Sequence, residues 1–282
     1  ATSDNGGHSS TIEGTRPILP MVFLYRGTFI QLLFVIPVGI WWLFGVENVL
    51  LSLGQGAELS HMTAQYLRIL TPGLWCYSVN WTITAWVQSI EMADVPAYAA
   101  AVSLALHVPL NLLFIHVFGW GYLGVGAATV VTQIVQPVYE IYYLFLTRRG
   151  RQRVLENTMA AAVGRTKLTF WLEAKLAVNS LPGIMQYLSL ALPGIVIISE
   201  WWASEICIFL AGTLIPHPDL ALDGMTIYQS INAFCFMFPV GCSVAGSARV
   251  GNFLGASDTR GADLAAKVSV ASASILSVAM GS

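Results

Sequence analysis

Long runs of apolar residues alternate with short polar stretches along this chain. Seven such runs fall at about 28–46, 63–90, 95–118, 122–146, 182–212, 220–247 and 268–281. A helix needs about 20 predominantly apolar residues to cross a bilayer. The first six runs meet that length, the first narrowly. The seventh, Val268 to Gly281, falls short and reads as a truncated helix. The runs are continuous rather than alternating, so they predict helices and not the strands of a barrel. Pro37, Pro72, Pro109, Pro137 and Pro193 fall inside them. A bundle in lipid tolerates these prolines because neighbouring helices satisfy the freed carbonyl groups. The expected fold class is all-α, a polytopic helical membrane protein with about seven transmembrane segments.

Composition agrees with that pattern. Hydrophobic residues make up 56% of the 282 residues and charged ones 10%, against about 25% charged in an ordinary soluble domain. A soluble protein this apolar would expose large aggregation-prone patches. The net charge of −2 offers no basic groove for nucleic acid. Cys76, Cys207, Cys235 and Cys242 all sit in apolar runs without C-x-x-C spacing, as small hydrophobes of a membrane core do.

The cationic residues are unevenly placed. Arg148, Arg149, Arg151, Arg153, Arg165 and Lys167 lie between the fourth and fifth runs. Arg16 and Arg26 precede the first, and Arg249, Arg260 and Lys267 lie between the sixth and seventh. The stretches near 47–61, 119–121 and 213–219 hold no Lys or Arg. Cytoplasmic loops carry the excess of positive charge, so the amino terminus and the 148–181 connector are expected in the cytoplasm. The expected organisation is a polar, disordered tail at 1–23, four helices over 24–147, the basic connector at 148–181 and three helices over 182–282. Val46–Ser60 is expected to lie at the opposite interface as an amphipathic helix or turn broken at Gly54 and Gly56.

Ionisable groups inside a membrane are expensive and are the first functional candidates. The fifth run carries Glu200 and Glu205, about 140° apart around a helix. Glu200 is the deeper, roughly three turns from the end of the run. A deep carboxyl is costly in its charged form and can bind and release protons as access alternates. The alternative is a structural carboxyl bonded to a neighbouring helix. Trp201 and Trp202 sit mid-helix and suit a cavity wall for cationic or planar ligands, with core packing as the equal alternative. Gln229 and Asn232 on the sixth run, and Asn80, Thr82, Thr84 and Gln88 on the second, are polar groups for substrate contact or interhelical hydrogen bonds. His107 and Asn111 share a face of the third run, and His107 is a proton-relay candidate or an interhelical histidine. Arg68 is expected to snorkel or pair with a carbonyl. Glu140, about two turns from the inner end of the fourth run, is expected to approach the cytoplasmic headgroups. Gly124 and Ala128 give small-xxx-small spacing for close packing. Gly251-Asn252-Phe253-Leu254-Gly255, expected in a cytoplasmic loop, lacks the Lys-Ser/Thr of a phosphate loop, so ATP hydrolysis is not supported.

Several stretches resemble the MATE (multidrug and toxic compound extrusion) family, especially its eukaryotic branch. Leu190-Ala191-Leu192-Pro193-Gly194-Ile195-Val196 runs into Glu200-Trp201-Trp202-Ala203-Ser204-Glu205. Ser247 to Ala256, Tyr66 to Leu74, and Leu106-His107-Val108-Pro109-Leu110-Asn111 with the Gly/Ala run at 121–128 follow in the family's order. The resemblance implies part of a twelve-helix, two-lobe fold, with this chain holding family helices three to nine. It implies export of small amphipathic, often cationic organic compounds, with protons as the coupling ion and sodium as the alternative. It also implies proton-coupling roles at Glu200 and Glu205. Some relatives carry a carboxylate where Gln229 stands, and of the family's Gln-x-Gln pair only Gln88 is present. The sequence holds no metal-ligand cluster, Walker loop, nucleophile elbow or haem pair, so no enzyme activity, cofactor or metal is expected, nor a nucleic acid or an obligate protein partner. The resemblance points to a small organic substrate, protons and a lipid bilayer, in the plasma membrane or a vacuolar or organellar membrane. A seven-helix receptor is the rival reading, because seven runs are countable. It expects an external amino terminus and an outer disulfide. A nonfunctional transporter fragment is the third.

Overall fold

The computed structural model describes residues 20–158, 170–212 and 218–281. Ten α-helices follow in order: α1 Pro20–Phe44, α2 Val46–Ser52, α3 Ala57–Ser89, α4 Asp94–Leu112, α5 Tyr122–Ile141, α6 Arg148–Asn157, α7 Phe170–Asn179, α8 Leu181–Gly212, α9 Pro218–Gly255 and α10 Thr259–Gly281. Short π-helical segments, Leu113–Val117 and Tyr142–Leu146, close α4 and α5. There is no strand among the described residues. Met21–Phe44, Asp94–Val117, Asp223–Gly255 and Thr259–Met280 are long and apolar enough to cross a bilayer, and α3 and α8 reach 33 and 32 residues. Apolar side chains such as Phe44, Leu104, Leu190 and Val278 point outward. A lipid environment rewards that arrangement and water penalises it.

Several boundaries differ from the sequence reading, each for a local reason. The seventh run is not short: α10 starts at Thr259 and has 23 residues. Its first turns are polar and invisible to an apolar count, yet Asp258 Oδ1 accepts from the Gly261 N–H at 2.9 Å and caps the helix. Gly251–Gly255 is not a loop but the last turn of α9. The chain reverses just after it, with Ser257 at φ 60 and the Asp258 N–H donating to Phe253 O at 2.8 Å. The 148–181 connector holds two helices. α6 is capped by the Thr147 hydroxyl, which accepts from the Gly150 N–H, and α7 is set against α1. α1 begins at Pro20, inside the stretch expected to be a polar tail, and takes in Arg26. Residues 1–19, Arg16, Arg165, Lys167 and the 213–217 part of the 213–219 stretch lie outside the described residues. The amphipathic stretch after α1 does form a short helix, α2, ended by Gly54 at φ 81.

The described residues form two compact units, one within 20–86 and 93–184 and another within 87–92 and 185–281. In the first unit Val22 of α1 packs on Ala177 of α7, and buried Arg26 donates to Ala177 O at 3.4 Å. α4 and α5 meet closely: a Cβ on Gly124 would stand 2.9 Å from the Phe114 carbonyl carbon, and Ala128 is fully buried. In the second unit α9 and α10 form an antiparallel hairpin, with Gly246 against Ser269 and Phe253 against Gly261.

Candidate functional site

The first unit contains a polar seam between α3 and α5. Asn80 Nδ2 donates to Gln136 Oε1 at 3.1 Å, and Thr84 Oγ1 donates to Glu140 Oε1 at 3.3 Å. Both pairs are 56 residues apart, so the two helices run in the same direction with a constant register. On each helix the paired residues are separated by four positions and stack on one face. Asn80 is 8% exposed and Glu140 1%. Three oxygens of this region, Asn80 Oδ1, Gln133 Oε1 and Glu140 Oε2, are buried without a hydrogen-bond partner. Buried polar atoms are usually satisfied, so such a concentration asks for a reason.

One turn along α5 the seam opens into a cleft of about 290 Å³, lined by Tyr77, Ser103, His107, Thr132, Gln133 and Gln136 among others. His107 Nδ1 stands 3.5 Å from Thr132 Oγ1, and Ser103 Oγ donates to Thr132 O at 3.4 Å. Asn111, on the same face as His107, donates to the backbone carbonyl of His107 at 2.8 Å. The cleft therefore brings His107 together with the amide of Gln136, which joins it to Asn80. Gln88 stands roughly two turns beyond Asn80 on α3, half-buried and grouped with the second unit.

Nearer α2, the same two helices carry a chain of side-chain contacts. Arg68 donates to Leu43 O at 3.0 Å and to Glu47 Oε2 at 3.1 Å. His61 Nδ1 meets Glu47 Oε1 at 3.0 Å, Gln65 Nε2 meets His61 Nε2 at 2.9 Å, and the Tyr122 hydroxyl donates to Gln65 Oε1 at 2.8 Å. The His61 hydrogen bond, with that of Arg68, holds the Glu47 carboxyl below the usual carboxylate range. Arg68 thus both pairs with a carbonyl, as expected, and ties α2 to α3.

In the second unit, α8 carries the acidic residues of the sequence reading. Glu200 and Trp201 lie on this helix, but their side chains are outside the described residues. Glu205 is half-buried and Trp202 is 55% exposed. On α9 Gln229 and Asn232 are half-buried, and Gln229 Oε1 is buried without a partner.

Glu140 corrects the sequence reading. It does not reach toward headgroups. The π-helical segment after α5 is covered by α6, which approaches so closely at Gly150 that any Cβ there would overlap the Tyr143 carbonyl oxygen. The carboxyl points instead at Thr84. A signal for this existed: Thr132, Gln136 and Glu140 recur every fourth position in one run, and Asn80, Thr84 and Gln88 do so in another. Two polar stripes of equal period are what two facing helices require.

Comparisons with known proteins agree with this architecture. The MatE family model matches residues 19–113 and 193–282. Protein DETOXIFICATION 36 of Arabidopsis thaliana is 30% identical over 259 residues, 91% of this chain and 47% of that protein. Protein DETOXIFICATION 37 of the same plant is 29% identical over 257 residues, again 91% and 47%. The chain spans about half the length of these curated relatives. The crystal structure of the eukaryotic MATE transporter AtDTX14 superposes with a TM-score of 0.74 at 20% identity, covering 89% of this chain and 51% of that one. That likeness is one of fold, while the family match sets the receptor reading aside. A polytopic helical membrane protein with these matches belongs to the MatE family.

Proposed function

We propose that the protein carrying this chain exports small amphipathic, often cationic organic compounds in exchange for protons. Glu200 and Glu205 on α8 would be the coupling carboxyls. Trp201, Trp202, Gln229, Asn232, Asn80 and Gln88 would offer aromatic and amide contacts to substrate, and His107 would be an accessory relay. The observation that carries the reading is Glu205, a half-buried carboxyl on a 32-residue, predominantly apolar helix that also carries Glu200. Carboxyls are kept in such helices for ion or substrate traffic. Alternating access needs two states that a bound proton and a bound substrate favour unequally. The energy source is an ion gradient, with no cofactor, metal, nucleotide or protein partner involved. The basic 148–181 connector and the amino terminus face the cytoplasm in this reading.

The test is efflux of a fluorescent organic cation from sealed vesicles, using the full open reading frame that encodes this chain. Export should follow an imposed pH gradient and ignore an imposed sodium gradient. Glu200→Gln should abolish it at matched membrane abundance, and Glu205→Gln should weaken it less. Export driven by sodium alone would replace the proton in this reading. Full activity in both variants would remove the coupling role from α8. Single-cysteine labelling of the connector from outside sealed cells would overturn the orientation.

A further inference from the structure

Glu140 plays no part in the proposal above, yet its surroundings differ from those of a structural carboxyl. It is 1% exposed, and no ion pair reaches it among the described residues. Its one hydrogen bond, from Thr84, is 3.3 Å long. An O–H···O hydrogen bond usually spans about 2.5–3.0 Å, so Thr84 holds the carboxyl weakly. The second oxygen, Oε2, is buried with no partner. A carboxyl retained only for packing would have both oxygens satisfied, because an unmatched one is costly in hydrocarbon. The residues next to each partner, Ile83 and Ile141, line an apolar cavity of about 430 Å³ with Leu24, Val79 and Phe145. Its hydroxyls come from Tyr25 and from Thr28, which already donates to Leu24 O at 2.9 Å.

The titratable groups on the surrounding elements do not fill this gap. Tyr25 of α1 lines the apolar cavity. Tyr139 and Tyr143 stack on each other, and Arg153 of α6 is held by Asp94 at 2.7 and 2.9 Å and by the Tyr143 hydroxyl at 3.2 Å. His107 of α4 faces Thr132 in the cleft. None of them bonds to Glu140. What does connect with it is the seam. Gln136, one turn away, lines the cleft and holds Asn80, whose Oδ1 is an acceptor still short of a donor. A proton on Glu140 converts an unpaired acceptor into a donor on the same seam.

We propose that Glu140 is a proton-binding site of the first unit, separate from the acidic residues of α8, and is loaded and unloaded along the α3/α5 seam from the His107 cleft. Its use in export rests on the proton-coupled reading above, but its existence does not. The test is infrared difference spectroscopy of the 282-residue chain in lipid nanodiscs as pH is varied. Wild type should show a protonated-carboxyl C=O band that changes with pH. Glu140→Gln should lose that band and Glu205→Gln should keep it. Thr84→Val removes the hydrogen bond to the carboxyl and should move the band to higher frequency without abolishing it. If Glu140→Gln does not fold, the Thr84→Val shift decides the matter alone. A band unchanged in Glu140→Gln, or unmoved in Thr84→Val, overturns the site. So does a band that does not change wherever the protein stays folded. Loss of pH-driven export with this band intact would sink the export reading and leave the site standing.

Discussion

The α3/α5 pair carries two polar regions that look alike in composition and behave oppositely. Near α2, Glu47, His61, Gln65, Arg68 and Tyr122 form a continuous chain of contacts of 2.8–3.1 Å, and its members are half-buried or exposed. Nearer α6, Asn80, Thr84, Gln136 and Glu140 make two contacts of 3.1 and 3.3 Å and leave buried oxygens unpaired. Water near the membrane surface makes polar contacts cheap to form and cheap to lose. In the hydrocarbon layer the same groups are costly unless matched. The exposed chain therefore serves geometry, orienting α2 and the start of α5 on α3. The buried seam tolerates an unmatched state.

Glu140→Leu breaks this comparison most directly. If the seam is architectural, removing its carboxyl should unfold the unit. If it is kept for proton traffic, leucine should leave folding neutral or more stable by about 1–4 kcal/mol, as when buried ionic groups give way to packed apolar ones. Thermal unfolding in nanodiscs measures the first quantity. Vesicle efflux in the full reading frame, expected to lose its pH dependence, measures the second.

Asn80→Ala tests the next turn of the seam. Gln136 would lose its donor, with a cost of roughly 1 kcal/mol, in the range of interhelical hydrogen bonds in membranes. The same experiment on Gln136→Ala should give a similar loss, and the double variant should cost less than the sum, because the partners share one bond. Additive losses would show that the two amides are not coupled.

Among the described residues of the first unit, Arg153 and Asp94 form the shortest ion pair, at 2.7 Å. The contact is bidentate, with side chains 29% and 44% exposed, and it fastens α6 to the start of α4. A double-mutant cycle with Arg153→Gln and Asp94→Asn should return a coupling of about 1 kcal/mol or less at low salt, decreasing as salt is added. A coupling indifferent to salt would point to packing of the guanidinium rather than charge.

The legibility of these features in the sequence follows from what each depends on. α8 could be bounded to within a residue because an apolar run with sharp polar edges defines it. α9 and α10 were read too short, since their ends lie beyond the apolar layer. There, backbone turns and the Asp258 cap set the limits rather than hydropathy. α6 and α7 were read as plain connector because helices of ten residues are too short to register as membrane-crossing runs. Glu140 was hidden for another reason: its buried carboxyl faces Thr84 of α3, a tertiary contact that no count along the fourth run contains. Asn80, by contrast, was singled out because an amide in mid-run is conspicuous wherever its partner lies. The Gly124/Ala128 spacing was readable as close packing for a similar reason: small residues at a fixed interval leave little else for a helix face to do.

The smallest expected effect lies at the exposed end and concerns Glu47. The hydrogen bond from His61, reinforced by Arg68, holds this carboxyl below its ordinary value of 4.5. The unfolded chain then binds the proton more readily than the folded one across the interval between the two values. Stability from Glu47 is thus fully present above about pH 4.5 and is lost as pH falls through the depressed folded value. Nothing should change between neutral pH and the ordinary carboxylate range. Glu47→Gln keeps a hydrogen-bonding group for His61 but cannot titrate. Its melting temperature should match wild type closely at neutral pH, because an exposed pair contributes little. Below the carboxylate range the two curves should converge, with the steeper acid limb belonging to wild type. Melting curves across that range, recorded in the same lipid, provide the measurement. An equally steep limb in both proteins would assign the acid sensitivity to another carboxyl, and a large loss at neutral pH would make this exposed chain more structural than its openness to water implies.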